Sequence, residues 1–242
     1  MGSVVFITGA SSDIGIELIK NISEDCIIIA HYHSSNKQLI ENSKLIKNKL
    51  VTIHADLSIE KDIHEMLNQI TSEYGIPDKI IHLAAPRLLS IRFKDVTWND
   101  FEKDINISLK SIVLILNRFL PHLAKEKYGK VVIMLSSNVL GVPPKALAHY
   151  TTVKYAMLGL VKSLASEYAE KNITVNAISP SMIETKFLSN INEKLIEASA
   201  YYNPLKRNAY VTDIVPTILL LLSKQSDYIN GINIPITAGG IF

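Results

Sequence analysis

The most constraining feature of this sequence is a regular alternation of short apolar runs with amphipathic stretches, which continues along the whole chain. The apolar runs are nearly continuous in Val and Ile, as expected for strands of a parallel sheet that is covered on both faces. Alternation of such strands with helices predicts an α/β, doubly wound fold with a mostly parallel, seven-stranded sheet. We expect strands at Val4–Thr8, Cys26–His31, Val51–Ala55, Lys79–Ala84, Lys130–Ser136, Thr174–Ser179 and Gly231–Ile236.

The stretches between these strands have the periodicity of helices with one apolar face. The predicted helices are Ile14–Ile22, Ile59–Tyr74, Thr97–Lys125, Tyr150–Glu170, Asn192–Tyr202 and Thr212–Leu222. Thr97 precedes Asp100 by three residues, which is typical of a helix N-cap. Since no linker, repeat or low-complexity tract interrupts the pattern, we expect a single domain over residues 1–242.

Composition excludes several classes of function. The net charge is only +2 and no cluster of Lys and Arg occurs, so we expect no nucleic-acid partner. No signal-peptide pattern and no long apolar run is present, which predicts a cytoplasmic protein with no membrane partner. The single cysteine, Cys26, lies in an apolar run and is expected to be a buried thiol. The histidines are not paired with Cys or acids at ligand spacing, so no metal site is predicted.

The first predicted strand runs into a glycine-containing loop, Thr8-Gly9-Ala10-Ser11-Ser12-Asp13-Ile14-Gly15, and then into a helix. In a Rossmann fold, such glycines let the backbone approach a pyrophosphate, which the exposed N–H groups of the helix start stabilise. The second strand is followed by His33, Ser34 and Ser35, and no acidic residue occurs before Glu41. A free ribose 2′-hydroxyl usually meets an acid there, so we favour NADP(H) as cofactor, with NAD(H) still possible.

Tyr150 and Lys154 are four residues apart in a helical pattern, so both side chains lie on one face. A neighbouring ammonium group is expected to lower the pKa of a tyrosine and make it a better proton shuttle. Tyr202 and Lys206 have the same spacing, but the intervening proline disfavours a helix there. Ser137 follows the strand Lys130–Ser136, whose C-terminal end should face the cofactor crevice.

In this order and spacing, the motifs resemble the short-chain dehydrogenase/reductase family over nearly the whole chain. The residues that carry the resemblance are Thr8–Gly15, Ala55-Asp56-Leu57, Asn106, Ser136-Ser137, Tyr150-Thr151-Thr152-Val153-Lys154 and Asn176-Ala177-Ile178-Ser179-Pro180, continuing to Thr185. Pro204-Leu205-Lys206-Arg207 and Tyr228-Ile229-Asn230-Gly231 are most similar to the 3-oxoacyl-carrier-protein reductase branch, and the His-Tyr-His segment is also similar to pteridine reductases.

The resemblance implies a role for each matching residue. Tyr150 would be the acid/base, and Lys154 would hydrogen-bond the nicotinamide ribose and lower the pKa of Tyr150. Ser137 would orient the substrate carbonyl, and Asn106 would hold a water molecule in a proton relay. The implied cofactor-binding residues are Gly9, Ser11, Ser12, Asp13, Ile14, Gly15, His33, Ser34, Ser35, Asp56, Leu57, Ala84, Tyr150, Lys154, Pro180, Ile183 and Thr185.

The implied substrate is a small-molecule carbonyl or alcohol. The best single candidate is a 3-oxoacyl thioester, either free or bound to a carrier. The same resemblance implies a homotetramer or homodimer, with the helices Asn106–Lys125 and Thr151–Glu170 between subunits. We expect the substrate pocket to be formed by Arg87–Leu89, Asn138–Pro144 and Lys186–Lys206, the last as a lid that excludes water. His149 is assigned either to this pocket or to the surface.

Three departures from the family pattern leave other functions open. Asp13 replaces a glycine and would either cap the first helix or repel a pyrophosphate. His82-Leu83-Ala84-Ala85 replaces Asn-Asn-Ala-Gly, and Ser181 replaces a glycine. One alternative is therefore a nucleotide-binding scaffold or regulator with weak catalysis. Another is a sugar-nucleotide epimerase or dehydratase, although that class usually adds a larger C-terminal region than the residues after Lys154 provide.

Overall fold

Seven parallel strands form one sheet in the computed structural model, which describes residues 2–22 and 25–242. The strands are β1 (Ser3–Thr8), β2 (Cys26–Tyr32), β3 (Lys49–His54), β4 (Lys79–His82), β5 (Gly129–Met134), β6 (Ile173–Pro180) and β7 (Asn233–Ile236). Their order across the sheet is β3-β2-β1-β4-β5-β6-β7, and every neighbouring pair is parallel. The predicted doubly wound, seven-stranded α/β fold is confirmed.

Two strands end earlier than the sequence pattern predicts. β4 stops at His82 rather than Ala84, and β5 stops at Met134 rather than Ser136. The chain leaves the sheet at these points, and the residues that follow line a cleft. Strand order reverses between β1 and β4, which is where open α/β sheets form their ligand crevice.

Eight α-helices connect and cover the strands in the described part of the chain. They are α1 (Asp13–Asn21), α2 (Lys37–Ser43), α3 (Glu60–Glu73), α4 (Trp98–Asp104), α5 (Ser111–Glu126), α6 (Ala148–Tyr168), α7 (Glu193–Tyr202) and α8 (Val211–Leu222). The short helix α2 was not predicted, because its seven residues bury a single apolar side chain, Leu39. Such a segment has too little apolar periodicity to be recognised from sequence.

The predicted helix Thr97–Lys125 is continuous but not uniform. Between α4 and α5 lies a π-helix, Ile105–Lys110. Thr97 is the N-cap as predicted, and it forms a capping box in which its amide donates to Asp100 Oδ2 over 2.8 Å. A π-helix contains one residue more per turn than an α-helix, so it rotates the side chains that follow it relative to those before it.

The two faces of the sheet have separate apolar cores, as the alternation of side chains along each strand requires. On one face Phe6 of β1 contacts Phe119 of α5 edge-on, with ring centroids 6.3 Å apart, and α3 and α6 pack beside them. On the other face Val5 and Ile7 pack against α1, α2 and α8, and the predicted buried thiol, Cys26, lies in that core. These two layers cover both faces of the sheet and leave the C-terminal ends of the strands uncovered, where the cleft lies.

The helical stretch Trp98–Glu126 is 29 residues long and has a mean hydropathy of 1.3 in its most apolar window. By length and composition it would suffice for a membrane span. Its apolar side chains Ile112, Leu116 and Phe119 are instead packed against the sheet. The stretch therefore has the packing of a core helix.

Candidate active site

A cleft of about 1,380 Å³ opens at the C-terminal edge of the sheet. Nearly all the sequence-predicted site residues line it: Gly9, Ser11, Ser12, Asp13, Ile14, His33, Ser34, Asp56, Leu57, Ala84, Ser137, Tyr150, Lys154, Pro180, Ile183 and Thr185. Gly15, Ser35 and Asn106 are described by the structure but do not line the cleft. The fold therefore brings residues from six strand ends into one site.

The loop between β1 and α1 depends on two glycines. Gly9 has a φ of +64°, and a Cβ there would lie 3.0 Å from the Cα of Ala84. Gly15 is packed so closely that a Cβ would overlap the backbone of Ala10. Gly15 thus lets α1 approach the loop rather than forming the cleft wall itself, which is the close-packing role of a glycine in a phosphate-binding loop.

Ser12, and not Asp13, caps α1. The Ser12 backbone is extended and its Oγ accepts a hydrogen bond from Gly15 N over 3.1 Å. Asp13 is the first helical residue, and its Oδ2 accepts a hydrogen bond of 2.8 Å from the amide of Lys186. The predicted capping role of Asp13 is wrong because Ser12 already occupies the cap position. The carboxylate instead joins the loop to the segment after β6.

His31, at the end of β2, holds the first glycine of the loop and was not among the predicted site residues. Its Nδ1 accepts a hydrogen bond from Gly9 N over 3.0 Å, and its Nε2 donates to the carbonyl of Ala55 over 3.1 Å. Burial lowers the pKa of His31 to about 4, so the ring is neutral and Nδ1 is free to accept. A histidine within an otherwise apolar strand next to β1 was the signal that could have identified it.

His82 performs the matching task on the other side of β1. Thr8 Oγ1 lies 2.8 Å from His82 Nδ1, and His82 Nε2 lies 2.9 Å from the carbonyl oxygen of Ser108 in the π-helix. Because that carbonyl can only accept, Nε2 carries the proton and Nδ1 accepts from the threonine hydroxyl. Burial, together with the nearby positive charge of Lys154, lowers the pKa of His82 to about 3. The altered segment therefore retains hydrogen bonds between sheet and site.

At the far end of the cleft, His33 lies next to Asp56 and Ser34. His33 Nε2 is 3.6 Å from Asp56 Oδ2, and the Ser34 hydroxyl is 3.1 Å from His33 Nδ1. Partial burial raises the pKa of Asp56, but two hydrogen bonds from Ser58 outweigh it and leave the pKa below its ordinary value. Ser35 points elsewhere, since its Oγ accepts from the amide of Lys37 at the start of α2.

Tyr150 and Lys154 lie on one face of α6, as their spacing predicts, and both line the cleft, Tyr150 half-buried and Lys154 buried. Ser136 is the serine whose side chain acts on Tyr150, and the role implied for Ser137, to orient the substrate carbonyl, stays a prediction. Ser136 has an extended backbone, so its side chain and that of the next residue point to different sides. Ser137 was selected because it follows the predicted strand Lys130–Ser136, whereas the observed strand β5 ends two residues earlier, at Met134. Ser137 still lines the cleft.

Lys154 is fixed by the strand end beneath it. Its Nζ donates to the carbonyl of Met134 over 2.8 Å and lies 5.5 Å from the centroid of the Tyr150 ring. Burial lowers the pKa of Lys154 to about 8. Burial also raises the pKa of Tyr150 to about 12, against the effect of the Ser136 hydrogen bond. The expected lowering of the Tyr150 pKa by Lys154 is not found, because desolvation of the phenol dominates and raises this pKa.

Asn106 is the predicted site residue that the fold places least well. It lies in the π-helix, half-buried, and its carbonyl accepts the Ser111 amide. Lys103 and Ile107 on the same helical stretch face the cleft instead. The role of Asn106 was implied by the family resemblance alone and stays a prediction. The extra residue of the π-turn changes which side chains of this stretch face the cleft.

His149 is buried beside the active site rather than exposed. Its Nδ1 lies 2.5 Å from Asp104 Oδ2, and its Nε2 lies 3.2 Å from the carbonyl oxygen of Leu89. Phe101 packs edge-on against the imidazole ring. Asp104, the last residue of α4, also acts electrostatically on both Tyr150 and Lys154. This pair could not be recognised from the sequence, since its members are 45 residues apart.

A glycine loop before a helix at the switch point of a parallel sheet, with a Tyr, a Lys and a Ser lining the cleft at the same edge, defines a nucleotide-dependent oxidoreductase. Residues 9–240 match a family described as Enoyl-(Acyl carrier protein) reductase. The chain belongs to the short-chain dehydrogenase/reductase family, and it is an NAD(P)-dependent oxidoreductase of that family.

Curated relatives match the chain end to end. A 3-oxoacyl-(acyl-carrier-protein) reductase from Staphylococcus epidermidis is 27% identical over 99% of this chain and 99% of its own. An acetoacetyl-CoA reductase from Allochromatium vinosum is 27% identical over 100% of this chain and 99% of its own. The resemblance inferred from the sequence motifs is therefore confirmed at the level of the family.

Solved structures confirm the fold. A putative gluconate dehydrogenase from Agrobacterium tumefaciens superimposes with a TM-score of 0.90 at 21% identity, covering 99% of this chain and 96% of its own. A 3-oxoacyl-(acyl-carrier-protein) reductase from Agrobacterium tumefaciens C58, solved with NADP bound, has a TM-score of 0.89 at 22% identity, covering 98% and 94%.

Proposed function

We propose that this chain is an NADP(H)-dependent reductase of a carbonyl compound, with a 3-oxoacyl thioester as its substrate. The observation that carries this proposal is that Tyr150, Ser136 and Lys154 line the same cleft as the glycine loop, with Lys154 Nζ 5.5 Å from the centroid of the Tyr150 ring. A proton donor, a group that can hold a carbonyl oxygen and a nucleotide-binding loop thus share one cleft.

The residues around the loop fit a dinucleotide. The first backbone N–H groups of α1 have no partner within the helix, and the helix dipole adds positive potential there. Gly9 leaves space that a side chain would fill against Ala84. The carboxylate of Asp13 is hydrogen-bonded to Lys186, so it does not need to face a pyrophosphate. When bound, the nicotinamide would supply or accept the hydride at the substrate carbon.

Three side chains of this chain would manage the proton. The Ser136 hydroxyl would donate a hydrogen bond to the substrate carbonyl oxygen and hold it beside Tyr150. Tyr150 Oη would release its proton to that oxygen as the carbon becomes tetrahedral, giving an alcohol. Because burial raises the pKa of Tyr150 to about 12, the phenol carries this proton over the whole neutral range. Lys154, fixed by Met134, would stabilise the resulting phenolate with its positive charge.

The preference for NADP(H) rests on the segment after β2. His33 and Ser34 line the cleft and can offer hydrogen-bond donors to a 2′-phosphate, while Asp56 faces His33. The Agrobacterium reductase solved with NADP supports the same choice. NAD(H) remains the alternative, since an acid close to the ribose would favour a free 2′-hydroxyl.

The substrate class rests on the relatives and on the cleft walls. Both curated relatives are named as reductases of 3-oxoacyl thioesters, on a carrier protein or on coenzyme A. Leu88, Leu147 and Phe187 provide apolar walls, and Lys103 and Lys145 lie at the same cleft. Apolar walls suit an acyl chain, and the lysines suit the phosphate of its carrier arm.

We further propose a homodimer or homotetramer in the cytoplasm. Val113 on α5 and Tyr155 on α6 expose 40% and 45% of their surface, so each of the two helices carries an apolar or aromatic side chain for subunit contact. Light scattering on the purified chain should give two or four times its mass of 26.9 kDa. A mass equal to one chain at micromolar concentration contradicts the assembly.

The test measures NADPH and NADH oxidation with acetoacetyl-CoA. We expect Tyr150→Phe to lower kcat by at least about a thousandfold while coenzyme binding persists, since the acid is removed and the ring remains. Tyr228→Phe, at a fully exposed ring outside the cleft, is the matched control and should keep full activity. Coenzyme oxidation that continues unchanged in Tyr150→Phe refutes the mechanism.

The serine assignment is tested in the same assay. Ser136→Ala should lower kcat by about a hundredfold, as expected when one donor to a developing oxyanion is removed. Ser137→Ala should change kcat by only a few-fold, since Tyr150 is bonded to its neighbour. The reverse ranking would restore the assignment made from sequence spacing.

A further inference from the structure

A buried acid–imidazole pair lies next to the catalytic tyrosine and takes no part in the mechanism above. The side chains of Asp104 and His149 are only 8% and 4% exposed, and they are joined by the 2.5 Å contact. His149 immediately precedes Tyr150 in α6, and Asp104 ends α4. Two ionisable groups without solvent are costly unless they hold a defined geometry, so the pair calls for a function.

The hydrogen-bond pattern fixes where the protons are. The Leu89 carbonyl can only accept, so His149 Nε2 must carry a proton. The contact between Nδ1 and Asp104 then holds one further proton, on either the ring or the carboxyl group. The pair is neutral overall in both arrangements, and losing that proton would leave an uncompensated charge in the interior.

The pair joins three parts of the site. Leu89 lies in the loop after β4, and its neighbours Leu88 and Ser90 line the cleft. The same loop is attached a second time to the segment before α6, through the Ile91 amide and the Ala146 carbonyl at 2.8 Å. His149 thus ties a substrate-facing loop to the first turn of the helix that carries Tyr150.

Other charged side chains of α4 and α6 lie close enough to act on the Asp104–His149 pair. Lys103 of α4 and Lys154 of α6 act on Asp104, and Asp100 of α4 interacts with His149. Asp104 in turn raises the pKa of Lys154 and that of Tyr150. When the shared proton lies on His149, Asp104 is negatively charged and favours the ammonium form of the lysine and the phenol form of the tyrosine, the forms that reduction uses.

We propose that Asp104 and His149 are positioning residues: together they hold the loop 83–92 against α6 so that the substrate carbonyl meets Tyr150. This inference rests on the proposed reductase function. It predicts that the pair governs the binding of the acyl substrate and leaves coenzyme binding untouched, because the loop between β1 and α1 is held by His31 and His82 instead.

Three variants separate the two arms of the pair. His149→Ala removes both arms, His149→Gln keeps a donor for the Leu89 carbonyl, and His149→Asn keeps a donor for Asp104. We expect His149→Ala to raise the KM for acetoacetyl-CoA by roughly tenfold, because the hydrogen bond that holds the Leu89 carbonyl is lost. The KM for NADPH should not change. His149→Gln should restore most of the loss and His149→Asn should not. His64→Ala is the control, since that histidine pairs with Glu60 at the surface.

The charge of Asp104 has its own readout. Asp104→Asn keeps a hydrogen-bonding side chain but removes the charge. Since that charge raises the pKa of Lys154, the alkaline limb of kcat/KM should move to lower pH in this variant and stay in place in His64→Ala. An unchanged limb would remove the electrostatic half of the proposal.

Hydrogen exchange of the amides at 88–91 tests the positioning independently of turnover. Exchange should be faster in His149→Ala and slow again in His149→Gln. If the wild type oxidises neither coenzyme but these amides respond as expected, the proposed function fails and the positioning stands. If the amides exchange alike in all folded variants, or Gln rescues no better than Asn, the inference is overturned.

Discussion

Two segments face each other across the cleft, and they are held in opposite ways. The loop between β1 and α1 is fixed from both sides by the buried histidines 31 and 82, in the strands that flank β1. The segment 186–206 carries α7, none of whose residues is buried, and its hydrogen bond to that loop is the one from Lys186 to Asp13. The coenzyme side is therefore preorganised, while the substrate side retains freedom to adapt.

The largest expected effect comes from acid, because the two histidines of the rigid side are buried as neutral rings. Their folded pKa values, about 4 and about 3, lie below the ordinary 6.5, so the unfolded chain binds more protons between these values. Stability is then fully present above pH 6.5 and is lost as pH falls. We expect a loss on the order of 5 kcal/mol between pH 7 and pH 4.

Urea unfolding at a series of pH values measures this loss. His82→Asn, which keeps an amide between Thr8 and the Ser108 carbonyl, should flatten the acid side of the profile by about half. His122→Asn should leave the profile unchanged, since His122 is exposed on α5. A wild-type slope in His82→Asn would mean that acid acts elsewhere.

A medium effect is expected from adding a single methyl group to the rigid loop. Gly15→Ala places a Cβ against the backbone of Ala10, which cannot move without shifting the loop. We expect it to cost about 1–3 kcal/mol of stability and to weaken NADPH binding.

The matched control for that change is Gly159→Ala in α6, where a Cβ meets open space. That variant should be stabilised by about 0.5–1 kcal/mol, because alanine restricts the unfolded chain more than glycine. Thermal unfolding and fluorescence titration with NADPH compare the two variants. Equal behaviour of the pair would show that the loop is not closely packed.

The smallest effect is expected in the less tightly held segment, 186–206. Asp13→Asn weakens the charge-assisted hydrogen bond to the Lys186 amide by about 1 kcal/mol, so that amide should exchange roughly fivefold faster. Global stability should not change. Glu193→Gln, at the start of α7, is the control for loss of one negative charge nearby. Unaltered exchange at Lys186 would show that Asp13 does not restrain the segment.

The fold could be predicted from sequence because its cause is local. Short, near-continuous runs of Val and Ile between helical stretches are typical of buried parallel strands. A glycine loop between the first strand and a helix is typical of a phosphate-binding site. Most residues predicted for the coenzyme end line the cleft for the same reason, since each group of them directly follows a strand end. Gly15 and Ser35 are the exceptions: Gly15 packs against Ala10, and Ser35 accepts a hydrogen bond from the amide of Lys37.

The catalytic end was predicted less well because its geometry depends on distant contacts. Choosing between Ser136 and Ser137 requires the backbone conformation beyond β5. Asn106 is displaced by a π-turn, which no pattern of apolar residues indicates. His149 and Asp104 are paired by the packing of α4 on α6, so the sequence around either residue does not indicate its partner.

His82 gives the two ligands of the proposed reaction a shared support. It connects Thr8, next to the coenzyme loop, with Ser108 in the π-helix, and that π-helix begins directly after Asp104. Binding on one side can thus alter affinity on the other through a short series of contacts. Binding free energies are reciprocal, so the factor by which coenzyme tightens the substrate must equal the factor by which substrate tightens the coenzyme.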